Sequence, residues 1–474
     1  MRLVVLIDFG STYTKVVVAD LDGADLVSWS QAPTTVSSDV ILGLKQALAN
    51  LGVKNKEIGQ VKIREKLACS SAAGGLRIVS IGLVPSLTVE AATRAALGAG
   101  GKVVGTYSYE LTEGDIKQIE EQGCDIVLLA GGTDGGDKDT ILHNAKMLSK
   151  SKLNAPILVA GNRAVRDDLR SILDGKDIYI TENVLPTLDN LNVEPVRSLI
   201  RQIFMTRIVE AKGMDRARQY VSNILMPTPM AVLKAARLLA NGTEEEDGLG
   251  ELILVDVGGA TTDVHSIARG YPTQSDVTVK GLPEPYAKRT VEGDLGIRYN
   301  AGRILEIAGE DGIKEKLRFM GLEPPPDLNK RIVELSRNIS FTSDDPEALV
   351  VDAGLAYTAI KIAMERHAGV IRIFELPSGQ AKLQYGKDLT GVRTVIGTGG
   401  VFTHTPYSEQ ILSAVFHQRD PFRLKPREAQ VFIDKNYILY GVGLLADIAP
   451  TVALQMAKKS LTGNEIRRIG GKMI

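Results

Sequence analysis

The stretch LVVLIDFGSTYTKVVVADL (residues 3–21) predicts two apolar strands joined by a short Gly-Ser-Thr turn. Asp8 ends the first strand and Lys15 lies on the second. A tight hairpin needs glycine and small polar residues at its turn, but it has no structural use for a carboxylate and an ammonium group beside it. The stretch therefore predicts a hairpin with a binding function at its bend.

A similar stretch, ELILVDVGGATTDVHSIARG, occurs at residues 251–270. Again an apolar strand ends at an aspartate, Asp256, and glycines, hydroxyl residues and a second strand follow. This approximate duplication is the main clue to the organisation of the chain. Two such turns can bind one polyphosphate from both sides, because glycine lets backbone N–H groups approach phosphate oxygens closely. The predicted phosphate-binding residues are Gly10, Ser11, Thr12 and Tyr13 in the first turn and Gly258, Gly259, Thr261 and Thr262 in the second.

Two aspartates and a lysine complete the predicted site. Asp8 and Asp256 would hold a hydrated Mg²⁺, which keeps most of its water ligands and neutralises phosphate oxygens. Lys15 would reach the β and γ phosphates of a nucleotide. One such turn alone is more typical of an ordinary hairpin, whereas two in one chain favour phosphate binding.

The composition limits the classes of partner. A chain of 474 residues is too long for one hydrophobic core, so we expect two or three domains. The net charge of -1 gives no basic excess, and nucleic acid is not expected as a partner. The two cysteines, Cys69 and Cys124, are too few for a disulfide framework or a four-ligand zinc site, which fits a reducing cytoplasm. No stretch approaches the roughly twenty apolar residues of a membrane span, so no membrane association is expected.

Short β-rich runs alternate with helical patterns from end to end, which predicts an α/β fold with several sheets. Residues 76–185 show a regular series of strands and helices that is typical of one complete doubly wound, flavodoxin-like domain. Because this series lies between the two similar turns, we expect it to be an inserted domain.

Three motifs resemble those of the actin, Hsp70 and sugar kinase superfamily of ATPases. DFGSTYTK (residues 8–15) is similar to the phosphate 1 motif, DVGGATTD (residues 256–263) to the phosphate 2 motif, and IGTGGVF (residues 396–402) to the adenosine motif. The motifs occur in the order that the superfamily has. The glycines whose backbone would lie alongside the nucleoside are Gly397, Gly399 and Gly400.

The resemblance implies an actin-like ATPase fold, in which two ribonuclease H-like domains surround a cleft for ATP and Mg²⁺. Asp8 and Asp256 would contact the metal through water. Helices at about 226–240 and 440–448 would be the two connecting segments of a hinge. The domains expected are a first ATPase domain of residues 1–75, 186–248 and 446–474, an inserted domain of residues 76–185, and a second ATPase domain of residues 249–445.

One position departs from the Hsp70 pattern. That branch carries a glutamate before Pro-Thr that helps to place the attacking water, whereas LMPTPMAV (residues 225–232) has Met226 there. Asp263, or another group that the sequence does not identify, would have to orient the water. We therefore expect a slow ATPase that acts as a switch.

Two further segments narrow the choice of branch. VEGDLGIRYNA (residues 291–301) and LQYGKDLTGVRTVIGTGGVF (residues 383–402), with the whole-length pattern, resemble the MutL-type proteins associated with glutamate mutase, which are unrelated to the DNA mismatch-repair protein of that name. The resemblance implies a reactivating chaperone whose partners are the subunits of an adenosylcobalamin-dependent mutase. Homo-oligomerisation is left open. So is the role of the charged residues Glu292, Asp294 and Arg298, which would line the cleft or contact a partner.

The inserted segment is similar in its course to a cobalamin-binding flavodoxin-like domain, but it lacks the Asp-x-His-x-x-Gly signature that ligates cobalt. It therefore either imitates the small cobalamin subunit of a mutase or is an ordinary α/β insertion. Three rival functions are kept. They are an activator of the 2-hydroxyacyl-CoA dehydratase type with an iron–sulfur cluster, a kinase of a small metabolite, and an actin-like filament former.

Overall fold

A computed structural model describes residues 2–35, 40–54, 65–71, 76–207, 221, 223–338, 345–377, 379–416, 420–462 and 465–470. The chain divides into two compact units. The first comprises Met1–Ala72, Lys212–Lys280 and Tyr286–Ile474, and the second comprises Ala73–Ala211 and Gly281–Pro285.

The described strands are β1 (Leu3–Phe9), β2 (Tyr13–Asp20), β3 (Asp25–Pro33), β4 (Glu65–Ser70), β5 (Leu76–Gly82), β6 (Gly101–Ser108), β7 (Ile126–Leu129), β8 (Ile157–Val159), β9 (Ile178–Ile180), β10 (Asn223–Pro227), β11 (Leu252–Val257), β12 (Thr262–Ile267), β13 (Val277–Lys280), β14 (Ala287–Glu292), β15 (Val370–Leu376), β16 (Gly379–Tyr385), β17 (Thr394–Thr398), β18 (Glu428–Ile433) and β19 (Glu465–Gly470).

The described α-helices are α1 (Val40–Lys54), α2 (Glu90–Gly98), α3 (Glu113–Gln122), α4 (Asp139–Lys150), α5 (Arg166–Ile172), α6 (Glu194–Arg207), α7 (Thr228–Asn241), α8 (Ala301–Ala308), α9 (Glu310–Phe319), α10 (Leu328–Arg337), α11 (Pro346–His367), α12 (Gly400–His404), α13 (Ser408–Leu412), α14 (Leu439–Leu445) and α15 (Pro450–Thr462). In the described part of the chain, no helix is both long enough and apolar enough to cross a bilayer.

Two sheets of the first unit share one topology. The first has the order β10–β4–β1–β2–β3, and the second has the order β14–β12–β11–β17–β18–β19. In each, the first strand pairs antiparallel with the outgoing strand of its hairpin and parallel with a later strand on its other side. β1 is buried at every position, as expected for a central strand that is covered on both faces. The predicted actin-like fold of two ribonuclease H-like domains is confirmed.

The helices α7 and α14 pack against each other between these two sheets. One apolar core joins residues of β1, β11 and both helices, among them Leu6, Leu254, Ala236 and Val442. A Cβ atom added at Gly443 would collide with the carbonyl group of Ala231, so the two backbones can meet this closely only because position 443 is glycine. These helices lie where the connecting segments were predicted, at about 226–240 and 440–448.

The second unit contains one all-parallel sheet of order β6–β5–β7–β8–β9. This is the 2-1-3-4-5 order of flavodoxin-like folds, and its own apolar core lies under α3, α4 and α5. The predicted doubly wound insertion is therefore confirmed.

The second unit reaches further than the predicted residues 76–185. Helix α6 belongs to it because α6 packs against α2, and the side chains of Val196, Ile200 and Ile203 form its buried apolar face. At the other end, residues 72–75, which adjoin the predicted start, lie outside the described residues.

Candidate functional site

The first hairpin places its charged pair by strand register. Asp8, which is 1% exposed, lies directly opposite Lys15, and the Lys15 ammonium is 3.4 Å from Asp8 Oδ2. The hydroxyl group of Thr228 donates to Asp8 Oδ1 at 2.6 Å. The buried thiol of Cys69, on the neighbouring strand β4, lies 3.7 Å from the same oxygen. Asp8 is thus fixed from three sides.

The turn of this hairpin requires glycine. The backbone N–H of Gly10 donates to the carbonyl oxygen of Tyr13 at 3.1 Å. A Cβ atom added at Gly10 would lie 2.5 Å from that oxygen, closer than real contacts allow. Ser11 and Thr12 occupy the turn between them, which is the placement predicted for phosphate binding.

The second hairpin repeats this turn. The N–H of Gly258 donates to the carbonyl oxygen of Thr261 at 2.9 Å. Asp256 lies opposite Asp263 in the register of β11 and β12. The hydroxyl group of Thr261 donates to Asp263 Oδ2 at 2.9 Å, and Arg289 on β14 donates to Asp263 Oδ1 at 2.8 Å. Both oxygens of Asp263 are therefore engaged within the protein.

The hydroxyl groups of the second turn point in different directions. Thr262 is wholly buried, and its hydroxyl group donates to the carbonyl oxygen of Leu295 at 2.7 Å. That of Thr261 is held by Asp263. Both threonine hydroxyl groups are thus bonded within the protein, whereas Gly258 and Gly259 have only backbone groups to offer.

The two turns meet. A Cβ atom at Gly259 would lie 3.2 Å from the Thr12 hydroxyl oxygen and 3.5 Å from the Arg298 side chain. Among the described residues, neither this buried hydroxyl oxygen nor the buried Oδ1 of Asp256 has a hydrogen-bond partner. Buried polar atoms without partners are costly, so each of these two atoms would be stabilised by a water molecule or a ligand that supplies the missing contact. A phosphate at Thr12 and a metal-bound water at Asp256 fit this requirement.

The electrostatics of Asp256 differ from those of a surface carboxylate. Burial, and next the charge of Asp263, raise the pKa of Asp256 to about 7, while Lys15 acts in the opposite direction. Burial also raises the pKa of Asp434. A cation bound between these carboxylates would favour their ionised forms. In the described residues no group of three His, Cys, Asp or Glu side chains is arranged to hold a metal directly. The contact of Asp8 and Asp256 with Mg²⁺ through water stays a prediction.

The segment of residues 292–300 holds the second turn from outside. The N–H groups of Arg298 and Tyr299 donate to the carbonyl oxygen of Gly259 at 3.0 and 2.9 Å. The amide group of Asn300 donates to the carbonyl oxygen of Ala260 at 2.8 Å. The sequence left open what the charged residues of this segment contact, and these bonds place it against the phosphate 2 turn.

Helix α11 anchors the same segment. Arg298 makes two hydrogen bonds of 2.7 Å to the carboxylate of Asp352. Arg366 donates to Glu292 at 2.5 Å and to Asp294 at 2.9 Å. All three charged residues of the segment are therefore paired with this helix, which fixes the backbone that supports Gly259.

The predicted nucleoside glycines lie at the end of β17. A Cβ atom added at Gly397 would be 2.8 Å from the side chain of Leu412, and Gly399 has a φ of 111° and lies against the backbone of Val257. No described atom is within 4 Å of the place where Gly400 would carry a Cβ. The loop thus packs on the second hairpin through Gly399 and leaves open space at Gly400.

Comparison with known proteins identifies the family. The family model of MutL protein matches residues 4–461. Protein MutL of Clostridium tetanomorphum is 48% identical over 466 residues, which cover 97% of this chain and 99% of that protein. The chain belongs to the MutL protein family. The predicted resemblance to MutL-type proteins is confirmed.

Solved structures are more distant from this MutL family member. Acetone carboxylase in a nucleotide-free structure has a TM-score of 0.40 and 15% identity, with coverage of 94% of this chain and 70% of that chain. The activator of the 2-hydroxyisocaproyl-CoA dehydratase from Clostridium difficile, with bound ADPNP, has a TM-score of 0.33 and 10% identity, with coverage of 99% and 100%. Likeness at this level assigns no property to the MutL chain.

The structure adds residues that the motifs did not indicate. Asp434 is fully buried and accepts hydrogen bonds from the Thr398 hydroxyl at 2.9 Å and from the N–H groups of Ile438 and Leu439 at 3.0 and 3.1 Å. It thereby links the nucleoside loop to the start of α14. A local signal existed, because Asp434 follows an apolar strand as Asp8 and Asp256 do. Thr228 was part of the quoted Pro-Thr pair, but its contact with Asp8 lies 220 positions away along the chain.

Two residues of this MutL chain, Met226 and Asp263, were named from the sequence in connection with the attacking water. Met226 is fully buried in β10, in register with Cys69, and offers no hydrogen-bond donor or acceptor of use to a water molecule. Asp263, the alternative named from the sequence, uses both its oxygens for Thr261 and Arg289. Its role in orienting water stays a prediction.

Proposed function

We propose that this chain is an ATP-driven reactivating chaperone for an adenosylcobalamin-dependent mutase, either glutamate mutase or a related aminomutase. The observation that carries the proposal is the meeting of the two glycine turns at Thr12 and Gly259, with the buried Oδ1 of Asp256 lacking a partner among the described residues beside them. Membership of the MutL family and the resemblance to mutase-associated proteins supply the client.

A nucleotide would lie between the two hairpins. The N–H groups of Ser11 and Thr12 on one side and of Gly259 on the other would bind its phosphates, and Lys15 would reach the β and γ oxygens. Asp8 and Asp256 would hold Mg²⁺ through water, and the ion, when bound, would neutralise the charge of the phosphates.

Hydrolysis is proposed to be slow. Efficient turnover requires a group that orients the attacking water. The buried thioether of Met226 cannot do this, and Asp263 is held by Arg289 and Thr261. Slow hydrolysis suits a switch, because each nucleotide state then lasts long enough for a client to bind or leave.

The nucleotide state would be passed on through the hinge helices. Phosphate held jointly by Thr12 and Gly259 ties the first sheet to the second, and its loss removes that tie. Since α7 and α14 touch at Gly443, a change in the angle between the sheets must be taken up at this contact. Binding energy for the nucleotide thereby becomes a change in affinity for the client.

The second unit is proposed to contact the mutase by imitating its cobalamin-carrying subunit. The parallel sheet of order 2-1-3-4-5 supports this, since it is the flavodoxin-like arrangement. The loop after β5 contains no histidine, and its N–H groups at Leu83 and Val84 donate to the Thr88 hydroxyl at 2.7 and 3.1 Å. Such a closed loop would dock without ligating cobalt.

Replacing residues 76–207 with a short linker tests whether the second unit imitates the cobalamin-carrying subunit. This deletion removes α6 together with α2, the helix against which α6 packs. We expect loss of mutase binding with nucleotide binding retained. Mutase binding equal to that of the full chain would rule out the imitation and leave an ordinary insertion.

The function itself is tested by reactivation. The purified protein is incubated with cofactor-inactivated mutase, free adenosylcobalamin and ATP, and the recovered mutase activity is measured. We expect recovery with the full chain and ATP, and none without ATP or with Asp8→Ala. Bound iron and a brown colour would instead indicate the dehydratase-activator type, and a phosphorylated metabolite would indicate a kinase.

A further inference from the structure

The loop between β18 and α14 brings an aromatic ring to the phosphate 1 hairpin. The ammonium nitrogen of Lys15 lies 3.3 Å from the centroid of the Tyr437 ring, well within the range of a cation–π interaction. The same nitrogen is 3.4 Å from Asp8 Oδ2. Lys15 therefore interacts with two groups, the carboxylate of Asp8 on its own hairpin and the ring of Tyr437 from the loop that precedes α14.

The backbone at Tyr437 is strained. Its φ of 50° lies in the left-handed region, which a residue with a bulky side chain rarely adopts because it is energetically unfavourable. Such a conformation persists where the surroundings impose it, and these residues cluster at functional sites.

Contacts on both sides impose this conformation. The N–H of Tyr437 donates to the carbonyl oxygen of Asp434 at 3.2 Å, while the Asp434 side chain caps the following helix. The ring lies 6.2 Å from that of Tyr440, whose hydroxyl group donates to the carbonyl oxygen of Leu6 in β1 at 3.2 Å. The ring is thus fixed in relation to the strand that carries Asp8.

The distance between the Lys15 ammonium and Asp8 Oδ2 is longer than that of a tight ion pair. Charge-assisted N–H···O bonds are typically about 2.7–2.9 Å long. Here the pair stays at 3.4 Å while the ammonium rests over the ring. A lysine in a tight ion pair with Asp8 would leave neither its own positive charge free for phosphate nor the Asp8 carboxylate free for metal-bound water.

We infer that Tyr437 is a positioning residue, which holds the Lys15 ammonium over its ring and apart from Asp8 so that both groups remain ready for a phosphate and its cation. The inference rests on the proposed nucleotide-dependent function and goes beyond it, since no motif of the sequence indicates this tyrosine. Because the loop also caps α14 through Asp434, the ring lies between the phosphate site and the hinge.

The test compares three variants at Tyr437 by calorimetric titration with adenosine, ADP and the non-hydrolysable analogue ADPNP, each with Mg²⁺. Tyr437→Leu removes the ring, Tyr437→Phe keeps it, and Tyr437→Gly removes it while accepting the positive φ. A cation–π contact of about 0.5–2 kcal/mol corresponds to a factor of roughly 2–30 in affinity. We expect the Leu and Gly variants to bind ADP and ADPNP weaker by this factor, with unchanged adenosine affinity, and the Phe variant to match the natural chain.

A second comparison separates positioning from a general structural role. In a Lys15→Ala background, Tyr437→Leu should bring no further loss, because the lysine on which the ring acts is gone. Equal loss for adenosine and ADP, or a full additional loss in that background, would overturn the inference. If the unsubstituted chain binds no adenine nucleotide, the proposed function itself fails and takes the inference with it; if it binds and Tyr437→Leu binds equally well, only the inference fails.

Discussion

The two hairpins have the same backbone geometry but differ in the charge of their side chains. In each, a buried strand ends at an aspartate and a glycine N–H donates to the carbonyl oxygen three residues further on, at 3.1 Å for Gly10 and 2.9 Å for Gly258. The residue opposite the aspartate is Lys15 in the first hairpin and Asp263 in the second. The duplicated turn has therefore kept its geometry while one outgoing strand carries an ammonium group and the other a carboxylate.

Because of this difference, the two hairpins would make different contacts to a bound ligand. The first hairpin places a lysine opposite its aspartate and would offer that cation to phosphate. The second places two carboxylates face to face, and Arg289 from β14 neutralises Asp263 but not Asp256. What remains on that side is a buried carboxylate whose raised pKa shows that its ionised form is destabilised, so a cation bound beside it would stabilise that form. A polyphosphate and its metal ion need both kinds of partner.

The largest expected effect comes from removing Arg289 of β14, whose positive charge neutralises Asp263 in the second hairpin. Arg289 and Asp263 are both buried, and breaking such a pair from one side leaves an uncompensated charge. Arg289→Leu should lower the free energy of unfolding of the first unit by about 3–5 kcal/mol, measured by urea denaturation.

The matched control is the double variant Arg289→Leu, Asp263→Asn, in which no lone charge is left. It should recover most of the loss. A double variant as unstable as the single one would show that the packing of the arginine stem, not the charge balance of the hairpin, is what matters.

A pH series then tests the unneutralised carboxylate. Since the pKa of Asp256 is about 7 when folded and near 3.8 when unfolded, the unfolded chain loses this proton first as the pH rises. The nucleotide-free protein should therefore lose stability between about pH 4 and 7, by up to about 1.4 kcal/mol per pH unit, and the penalty should be complete above pH 7.

Asp256→Asn cannot ionise and provides the reference for this series. The stability of the natural chain minus that of the variant should fall with rising pH over this window. A difference that stays constant from pH 4 to 8 would mean that the environment of Asp256 is more polar than its buried Oδ1 indicates.

Hydrolysis tests whether both hairpins act on one ligand. Asp8→Ala and Asp256→Ala should each lower the rate of Mg-dependent ATP hydrolysis by about 100-fold or more, which is about 2.7 kcal/mol of barrier. The double variant Arg289→Leu, Asp263→Asn, which leaves no lone buried charge, should have a much smaller effect, because both oxygens of Asp263 are already engaged within the protein. Normal turnover of Asp256→Ala beside an inactive Asp8→Ala would remove the second hairpin from the site.

The parts of the site that the sequence predicted are local ones. Strand, aspartate and glycine turn lie within one short segment, so both hairpins could be located, and Asp8 and Lys15 could be placed on the two strands of the first. The pairs that stabilise them are not local. Arg289 lies 26 positions from Asp263, and Thr228 lies 220 from Asp8, so only the folded sheets bring them together.

The inserted domain shows the same limit. Its strands alternate with helices in a pattern that predicted the doubly wound fold, but the apolar face of α6 does not say which sheet or helix it covers. Tyr437 gave no signal either, since a positive φ at a tyrosine depends on the contacts of Asp434 and Tyr440 rather than on local preference.

The smallest expected effect separates the backbones of the two turns. A methyl group at position 10 would lie 2.5 Å from the Tyr13 carbonyl oxygen, whereas one at position 258 would lie 3.1 Å from that of Thr261. In the first case the turn itself must move, because the obstacle is backbone and cannot rotate away. In the second a shift of a few tenths of an ångström is enough. Gly10→Ala should thus cost about 1–3 kcal/mol in unfolding free energy, and Gly258→Ala less than about 1.

Urea denaturation of the two variants side by side checks this difference, and ADP titration shows whether the altered turn still binds phosphate. The expected order is a larger loss in both measurements for Gly10→Ala. Equal losses would mean that the second turn is as tightly closed as the first, and the two hairpins would then differ in charge alone. A larger loss for Gly258→Ala would point instead to the N–H groups of Arg298 and Tyr299, which hold the next residue, Gly259, and leave that turn less room to adjust than its own hydrogen bond implies.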